Sequence, residues 1–247
     1  LGNILAKARL DQYLVSLGLF ESRARAAAAI KAGQVTVNGV TASKAAMTVS
    51  EADEIEARAA HDFVSRGALK LEKALAHFSY HVQGGVFADI GASTGGFSDI
   101  LLRHGAGFIY AIDVGRDQLH DTLRQNALVR DMQGVNARHL TAADFDHNLS
   151  GLVCDVSFIS QAKALSALVP LMPAGAWAIA LIKPQFEVGK AALGKNGVVS
   201  DADTRQSACD AIAAWWQGQG WHVDGIIESP IAGPQGNIEY LIGARKI

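Results

Sequence analysis

From residue 86 onward, apolar runs of strand length alternate with segments of helical period, and no other feature limits the possible folds as strongly. The runs are 86–90, 108–112, 152–156, 176–182, 223–227 and 238–242, and helical patterns lie at 96–104, 161–171 and 203–217. Strands that read as continuous apolar runs are buried on both faces, as in a parallel sheet covered by crossover helices. The expected fold class is α/β, a doubly wound Rossmann-like sheet. A further helix over 69–77 precedes the first run and is assigned to the sheet domain.

The first 58 residues read differently. Leu10, Tyr13, Leu14 and Leu17 recur at helical spacing within 9–20, with Gly18 as the C-cap. Glu21-Ser22 offers a cap for an alanine-rich helix over 23–32 that stops at Gly33. Residues 34–37 alternate like a strand, Asn38-Gly39 is a favoured hairpin turn, and β-type residues return over 49–55. A chain of 247 residues has room for this small α+β domain and one larger domain. The expected division is 1–60 for the small domain, 61–83 for a linker and the first helix of the larger one, and 84–247 for the sheet domain. A module of that size has a marginal core, so it is expected to dock on something larger, such as nucleic acid.

Composition narrows the function classes. Hydrophobic residues at 49% and charged residues at 19% exclude a disordered chain. A net charge of -2 excludes a uniformly basic polyanion binder but allows a local basic face. Cys154 and Cys209 lack CxxC spacing, so neither a disulfide framework nor a metal site is expected, and a reducing cytoplasm is the default compartment. There is no apolar run of about 18 residues and no export-signal pattern, so no membrane partner is expected.

The first long strand runs into Asp89-Ile90-Gly91-Ala92-Ser93-Thr94-Gly95-Gly96-Phe97, and a helix opens at once. Glycines here let backbone approach a ligand at the C-terminal edge of the sheet, where such folds bind small molecules. The spacing is GxxxGG, so the dinucleotide fingerprint GxGxxG is only half met. Asp113 ends the second strand 22 residues beyond Gly91, where a carboxylate would accept from ribose hydroxyls. An adenosine moiety without a pyrophosphate fits best, namely S-adenosylmethionine. The plain alternative is a tight glycine turn with Asp113 capping the next helix.

Several pieces together carry a family resemblance: RLDQYLVSLGLFESRARAAAAIKAGQVTVNG, VSRGALKL, DIGASTGGFSD, AIDVG, DVSFIS, IKPQFE, GKNGVV and SPIAGPQGNIEYL. The α/β part resembles the FtsJ-like ribose 2′-O-methyltransferases. The whole chain resembles the TlyA group of rRNA methyltransferases, historically labelled haemolysins. Its first piece is similar to the alpha-L RNA-binding motif of a ribosomal protein. The resemblance implies ribosomal RNA or ribosomal subunits as partner and a Lys-Asp-Lys-Glu set, filled here by Lys70, Asp155, Lys183 and Glu239. Lys183 is the candidate base, Asp155 and Glu239 orient the lysines and the hydroxyl, and Lys70 holds substrate phosphate or ribose. Asp155 and Lys183 fall at the ends of consecutive strands, the edge that Gly91 also marks. Each alone has a bland reading, as a solvated lysine or a helix-capping carboxylate.

Residues 89 and 91–97, with Asp113 and Val114, form the expected cofactor set, and Asn136 and Arg138 are placed near the adenine or in ordinary loop bonding. Glu187 is left outside the catalytic set, as a loop cap or a partner of Lys190. Trp215 and Trp216 are assigned to packing on a helix. For RNA, Arg9, Arg23, Arg25 and Lys31 are the informative charges, since arginines at a helix start suit a phosphate. A solvated mixed surface is the alternative there. Two departures from the family pattern stand out: Ala68 in place of a usual glycine, and Arg116-Asp117 in place of Tyr-Gly. The rival readings are a pseudouridine synthase, discounted because Arg9-Leu10-Asp11 lies inside the RNA-binding motif, and a haemolysin-like membrane-active or non-catalytic RNA-binding protein. The absence of a basic amphipathic helix argues against lysis.

Overall fold

The computed structural model describes residues 7–20, 22–57, 62–189, 192–233 and 235–247, which fall into two compact units, Leu1–Asp62 and Phe63–Ile247. In the first unit, β1 (Ala8–Arg9) leads into α1 (Leu10–Ser16), followed by α2 (Arg23–Lys31). Helix α1 is shorter than its periodicity predicts: Gly18 adopts φ 70 and turns the chain, leaving Leu17 half exposed while Leu10 and Leu14 are buried. Ser22 Oγ accepts from the Arg25 amide at 3.3 Å and caps α2, whose Ala26, Ala29 and Ile30 pack with Leu10 and Leu14. Glu21, the other half of the expected cap, lies outside the described residues.

Strands β2 (Val35–Val37) and β3 (Val40–Thr41) form the expected hairpin around Asn38-Gly39, both at positive φ. The return over 49–55 is not one strand. Val49 belongs to β4 (Thr48–Val49), paired with β1, whereas Ile55 opens β5 (Ile55–Ala57), paired with β2. Asp53 causes the break: its carboxylate accepts from the Ser50 amide at 2.7 Å and from Asn38 Nδ2 at 2.8 Å, so the chain turns between the two segments.

The second unit opens with α3 (Ala68–Phe78) and continues through β6 (Val86–Ile90), α4 (Gly96–Arg103), β7 (Phe108–Asp113), α5 (Asp121–Arg124) and β8 (Val129–Gln133). Then come β9 (Gly151–Cys154), α6 (Gln161–Leu165), β10 (Trp177–Ile182), α7 (Pro184–Glu187), α8 (Ala202–Gly218), β11 (Trp221–Glu228) and β12 (Tyr240–Lys246). The seven strands lie in the order β11-β12-β10-β9-β6-β7-β8, parallel except that β12 runs against both neighbours. No helix separates β11 from β12, so the chain returns antiparallel where an all-parallel pattern was expected. Strand β8 has no counterpart among the apolar runs. It is an edge strand with only Val129 fully buried, so its sequence VRDMQ lacks the signal of its neighbours. The helical pattern over 161–171 divides into α6 and a 3-10 turn at Val169–Leu171 that contains Pro170.

Apolar clusters fill both faces of the sheet. Leu71, Leu75, Ile100 and Leu101 cover one, and Leu165, Cys209, Ile212 and Trp216 the other. Trp216 is fully buried, edge-on to Trp221, and donates its indole N–H to Gln161 Oε1 at 2.6 Å, as a packing residue should. Cys154 and Cys209 are buried free thiols.

The ring of Phe78 lies flat against Gly243 of β12, where an added Cβ would stand 2.8 Å from the ring. Gly243→Ala is expected to cost about 1–3 kcal/mol through overpacking, and Phe78→Leu in the same chain to recover part of it. Thermal unfolding of the two single variants and the double variant checks this.

Candidate active site

The site is built at the C-terminal edge of β6, β7, β9 and β10. After Ile90 the chain turns through Gly91 at φ 81, and a Cβ there would stand 2.7 Å from the Asp155 carbonyl oxygen. Only glycine lets the end of β6 pass this close to the end of β9, and the Asp155 amide bonds Ile90 O at 3.0 Å. At the end of β7, Asp113 accepts from the Ser93 amide at 2.8 Å and the Gly115 amide at 2.7 Å, so it ties the glycine turn to the next loop. Beside them lies a cavity of about 430 Å³ lined by Gly91, Asp113, Val114, Asn136, Val156 and Phe158 among others, within the usual size range of small-molecule sites.

A second cavity of about 350 Å³ adjoins it, sharing Gly91, Ser93, Asp155 and Ser157. Here the four charged residues from distant stretches meet. Lys70 Nζ lies 2.9 Å from Glu239 Oε2 and 3.3 Å from Asp155 Oδ2, and Lys183 Nζ lies 2.6 Å from Asp155 Oδ1. Lys70 comes from α3, Asp155 and Lys183 directly follow β9 and β10, and Glu239 directly precedes β12. Two amines and two carboxylates compensate one another, which makes burial of Lys70, Lys183 and Glu239 tolerable. Gly233 presses on Glu239, since a Cβ there would stand 2.6 Å from Oε1.

Asp89, Ala92, Thr94, Gly96 and Phe97 line this second cavity. Gly95 lines neither; it takes φ 92 as the N-cap of α4 and packs against Leu119 and Leu123. Asp89 is buried, and desolvation pushes its carboxyl up to about 7 against the opposing hydrogen bond from Ser98 Oγ at 2.7 Å. Its Oδ1 has no hydrogen-bond partner among the described residues. A spare carboxyl oxygen on a residue that lines the second cavity, and a glycine turn that borders both cavities, fit a ligand with a cationic amino-acid end and an adenosine end.

Asn136 accepts from the Arg138 amide at 3.1 Å, and both line the first cavity. Glu187 is half-buried and accepts from the Gln161 amide at 2.7 Å, capping α6; Lys190 lies outside the described residues. Ala68 is fully buried, and Lys70 still reaches both carboxylates. Arg116 packs over Gly134, where a Cβ would fall 2.6 Å from the guanidinium carbon. Ser157 was not singled out from the sequence, although it stands inside DVSFIS; its Oγ accepts from Lys183 Nζ at 2.7 Å. No group of histidines, cysteines or carboxylates able to hold a metal occurs among the described residues.

In the first unit, Arg9 and Arg23 converge on buried Asp11, at 2.9 Å each. The Arg9 hydrogen bond, joined by Arg23, outweighs burial and holds the Asp11 carboxyl down at about 2. Both guanidiniums remain about half exposed, Lys31 is exposed in the last turn of α2, and Arg25 stands in its first turn. A carboxylate lowered from about 3.9 in the unfolded chain favours folding above that pH and loses its contribution as pH falls towards 2. Asp11→Asn is therefore expected to lower stability at pH 7 and to flatten its fall below pH 4, read by acid titration of circular dichroism.

A mostly parallel seven-stranded sheet with one reversed strand, glycine-turned after β6 and acid-ended at β7, defines a methyltransferase fold. The chain belongs to the FtsJ-like methyltransferase family, which matches residues 63–246, and residues 8–55 match the S4 domain. It is 43% identical to the 16S/23S rRNA (cytidine-2′-O)-methyltransferase TlyA of Mycobacterium tuberculosis, over 97% of this chain and 90% of that one. It is 39% identical to Hemolysin A of Brachyspira hyodysenteriae, over 94% of this chain and 98% of that protein. The solved structure of a hemolysin-named protein from Streptococcus thermophilus superposes with a TM-score of 0.77 at 39% identity, covering 98% of this chain and 89% of that one. Family and fold imply S-adenosylmethionine as methyl donor. Among the described residues no helix is long and apolar enough to cross a membrane.

Proposed function

We propose that this chain methylates a ribose 2′-hydroxyl of ribosomal RNA, with S-adenosylmethionine as donor, in the cytoplasm. The single observation that carries the reading is the Lys70, Asp155, Lys183 and Glu239 cluster, which shares Gly91 and Asp155 with the neighbouring ligand-sized cavity. Residues 1–60 serve as the RNA-holding part, 61–83 join it to the catalytic part and supply that part's first helix with Lys70, and 84–247 carry the rest of the site.

Asp89 Oδ1 would take the cofactor's amino group, and Asp113 its ribose. Val114 and Asn136 would border the adenine, and the backbone from Gly91 to Gly96, with Phe97 behind it, would make the close approach. When bound, S-adenosylmethionine supplies a methyl group on a positively charged sulfur that departs as a neutral thioether. A ribose hydroxyl is a weak nucleophile until its proton is accepted, so an aligned base is needed. Lys183 Nζ accepts that proton. Asp155 stands between the two amines and fixes their separation, Glu239 neutralises Lys70, and Lys70 holds the ribose or its phosphate. The step then depends on alignment more than on covalent catalysis.

Calorimetric titration with S-adenosylmethionine and ribose-methylation mapping of rRNA from cells with and without this protein test the reading together. A bound donor and at least one lost methylation support it; identical maps overturn it. Arg23→Ala with Arg25→Ala is expected to weaken RNA binding and to lower the slope of log K against log salt by about 1–2, with cofactor affinity unchanged. Filter binding across a salt series measures this.

A further inference from the structure

We propose that Ser157 is a positioning residue that aims the lone pair of Lys183 at the hydroxyl to be methylated. The proposal deepens the reading above and rests on Lys183 as the proton acceptor. Ser157 stands in the loop between β9 and α6, two residues after Asp155, and lines both cavities. Its Oγ lies 2.7 Å from Lys183 Nζ in the hydrogen bond that the amine donates. The Asp155 Oδ1 contact at 2.6 Å is an ion pair off the hydrogen-bond line, so Ser157 is the directional partner of Nζ among the described residues.

Lys183 enters the step as the neutral amine, its ammonium having first released a proton to solvent, and then has two N–H groups and one lone pair around nitrogen. With one N–H committed to Ser157, rotation about the Cε–Nζ bond is restrained and the lone pair is held towards the cavity that Lys183 lines. Without the serine hydroxyl the amine is free to turn and donate an N–H to the substrate oxygen, which is the wrong polarity for a base. In the oriented arrangement the ribose O–H bond breaks, and its proton joins the Nζ lone pair to give an ammonium. The electron pair left on oxygen forms the new O–CH3 bond, while the C–S pair stays with sulfur. Ser157 is exposed to the cavity, so its loss removes an orienting bond without opening the core.

The test compares Ser157→Ala, Ser157→Thr and Lys183→Ala in the full chain, using S-adenosylmethionine and rRNA extracted from cells lacking this protein. Ser157→Ala is expected to lower kcat between about 10- and 100-fold with KM and cofactor affinity unchanged, and Ser157→Thr, which keeps the hydroxyl, to restore most of the rate. A parental kcat in Ser157→Ala, a loss confined to KM or cofactor affinity, or failure of the threonine variant to recover would overturn the proposal. Lys183→Ala separates the two levels. If it is inactive while Ser157→Ala is fully active, the serine assignment alone falls; if it is fully active, the base assignment falls with it.

Discussion

Lys183→Ala is expected to reduce methyl transfer by about 10²- to 10⁴-fold, the usual share of a positioned acid or base, while S-adenosylmethionine still binds. The geometry says why the two effects separate. Lys183 Nζ contacts Asp155 and Ser157, neither of which is assigned to the cofactor, whereas the cofactor set lies on Asp113, Val114 and Asn136 in the first cavity and on Asp89 and the glycine turn in the second. Lys183→Arg makes the test sharper. It keeps the positive charge beside Asp155, but a guanidinium does not give up its proton near neutrality. A base at this position predicts that both variants are inactive. An active arginine variant would show that charge alone suffices there. Single-turnover methyl transfer, paired with calorimetry of cofactor binding, supplies both readouts.

Gly91→Ala is expected to lower kcat/KM by about 10²-fold or more, because it strikes the turn and the acid together. At φ 81 an L-residue is strained by about 1–2 kcal/mol, and the new Cβ would stand 2.7 Å from the Asp155 carbonyl oxygen and 3.0 Å from its carbon. Both are backbone atoms that no rotamer change can move. Either the turn opens away from the first cavity, or Asp155 shifts and the lysines lose their common partner. Gly175→Ala is the control, with φ 82 and nothing within 4 Å of the added Cβ. It carries the strain without the collision, so it should lose stability of about 1 kcal/mol and keep its activity. Equal activity losses in the two variants would assign the Gly91 effect to general strain.

Strands β6, β7, β9, β10 and β12 are legible as apolar runs because both of their faces are largely covered, and edge strand β11, buried only at Trp221, is legible through Val223, Ile226 and Ile227, which pack on the core while half-buried. Edge strand β8 is not, since Arg130 and Asp131 face solvent and break the run. Residues 49–55 look like one β segment because propensity is local, and the Asp53 turn that divides them depends on Asn38, far back in the chain. The candidate site shows the same limit more strongly. Lys70 and Glu239 are 169 residues apart, and no periodicity relates them. Their pairing came from family resemblance, and only the geometry exhibits it. The glycine turn was legible from its own residues because the backbone requirement is local. Its reason, the proximity of the Asp155 carbonyl, was not. The Arg9 and Arg23 contacts with Asp11 also escaped a reading that treated those arginines only as surface charge.

The reversed direction of β12 decides which end of that strand can serve chemistry. Tyr240 pairs with Ile182, so the chain reaches the rim on its way into β12, whereas β9 and β10 supply the rim on their way out. A same-direction strand would carry Glu239 to the far side of the sheet, about 20 Å away for a strand of this length. The connection ahead of Tyr240 is moored at that rim, with Asn237 Oδ1 accepting from the Val199 amide at 2.9 Å and its Nδ2 donating to the Gly197 carbonyl at 3.1 Å, so Glu239 is delivered to the rim by anchored backbone.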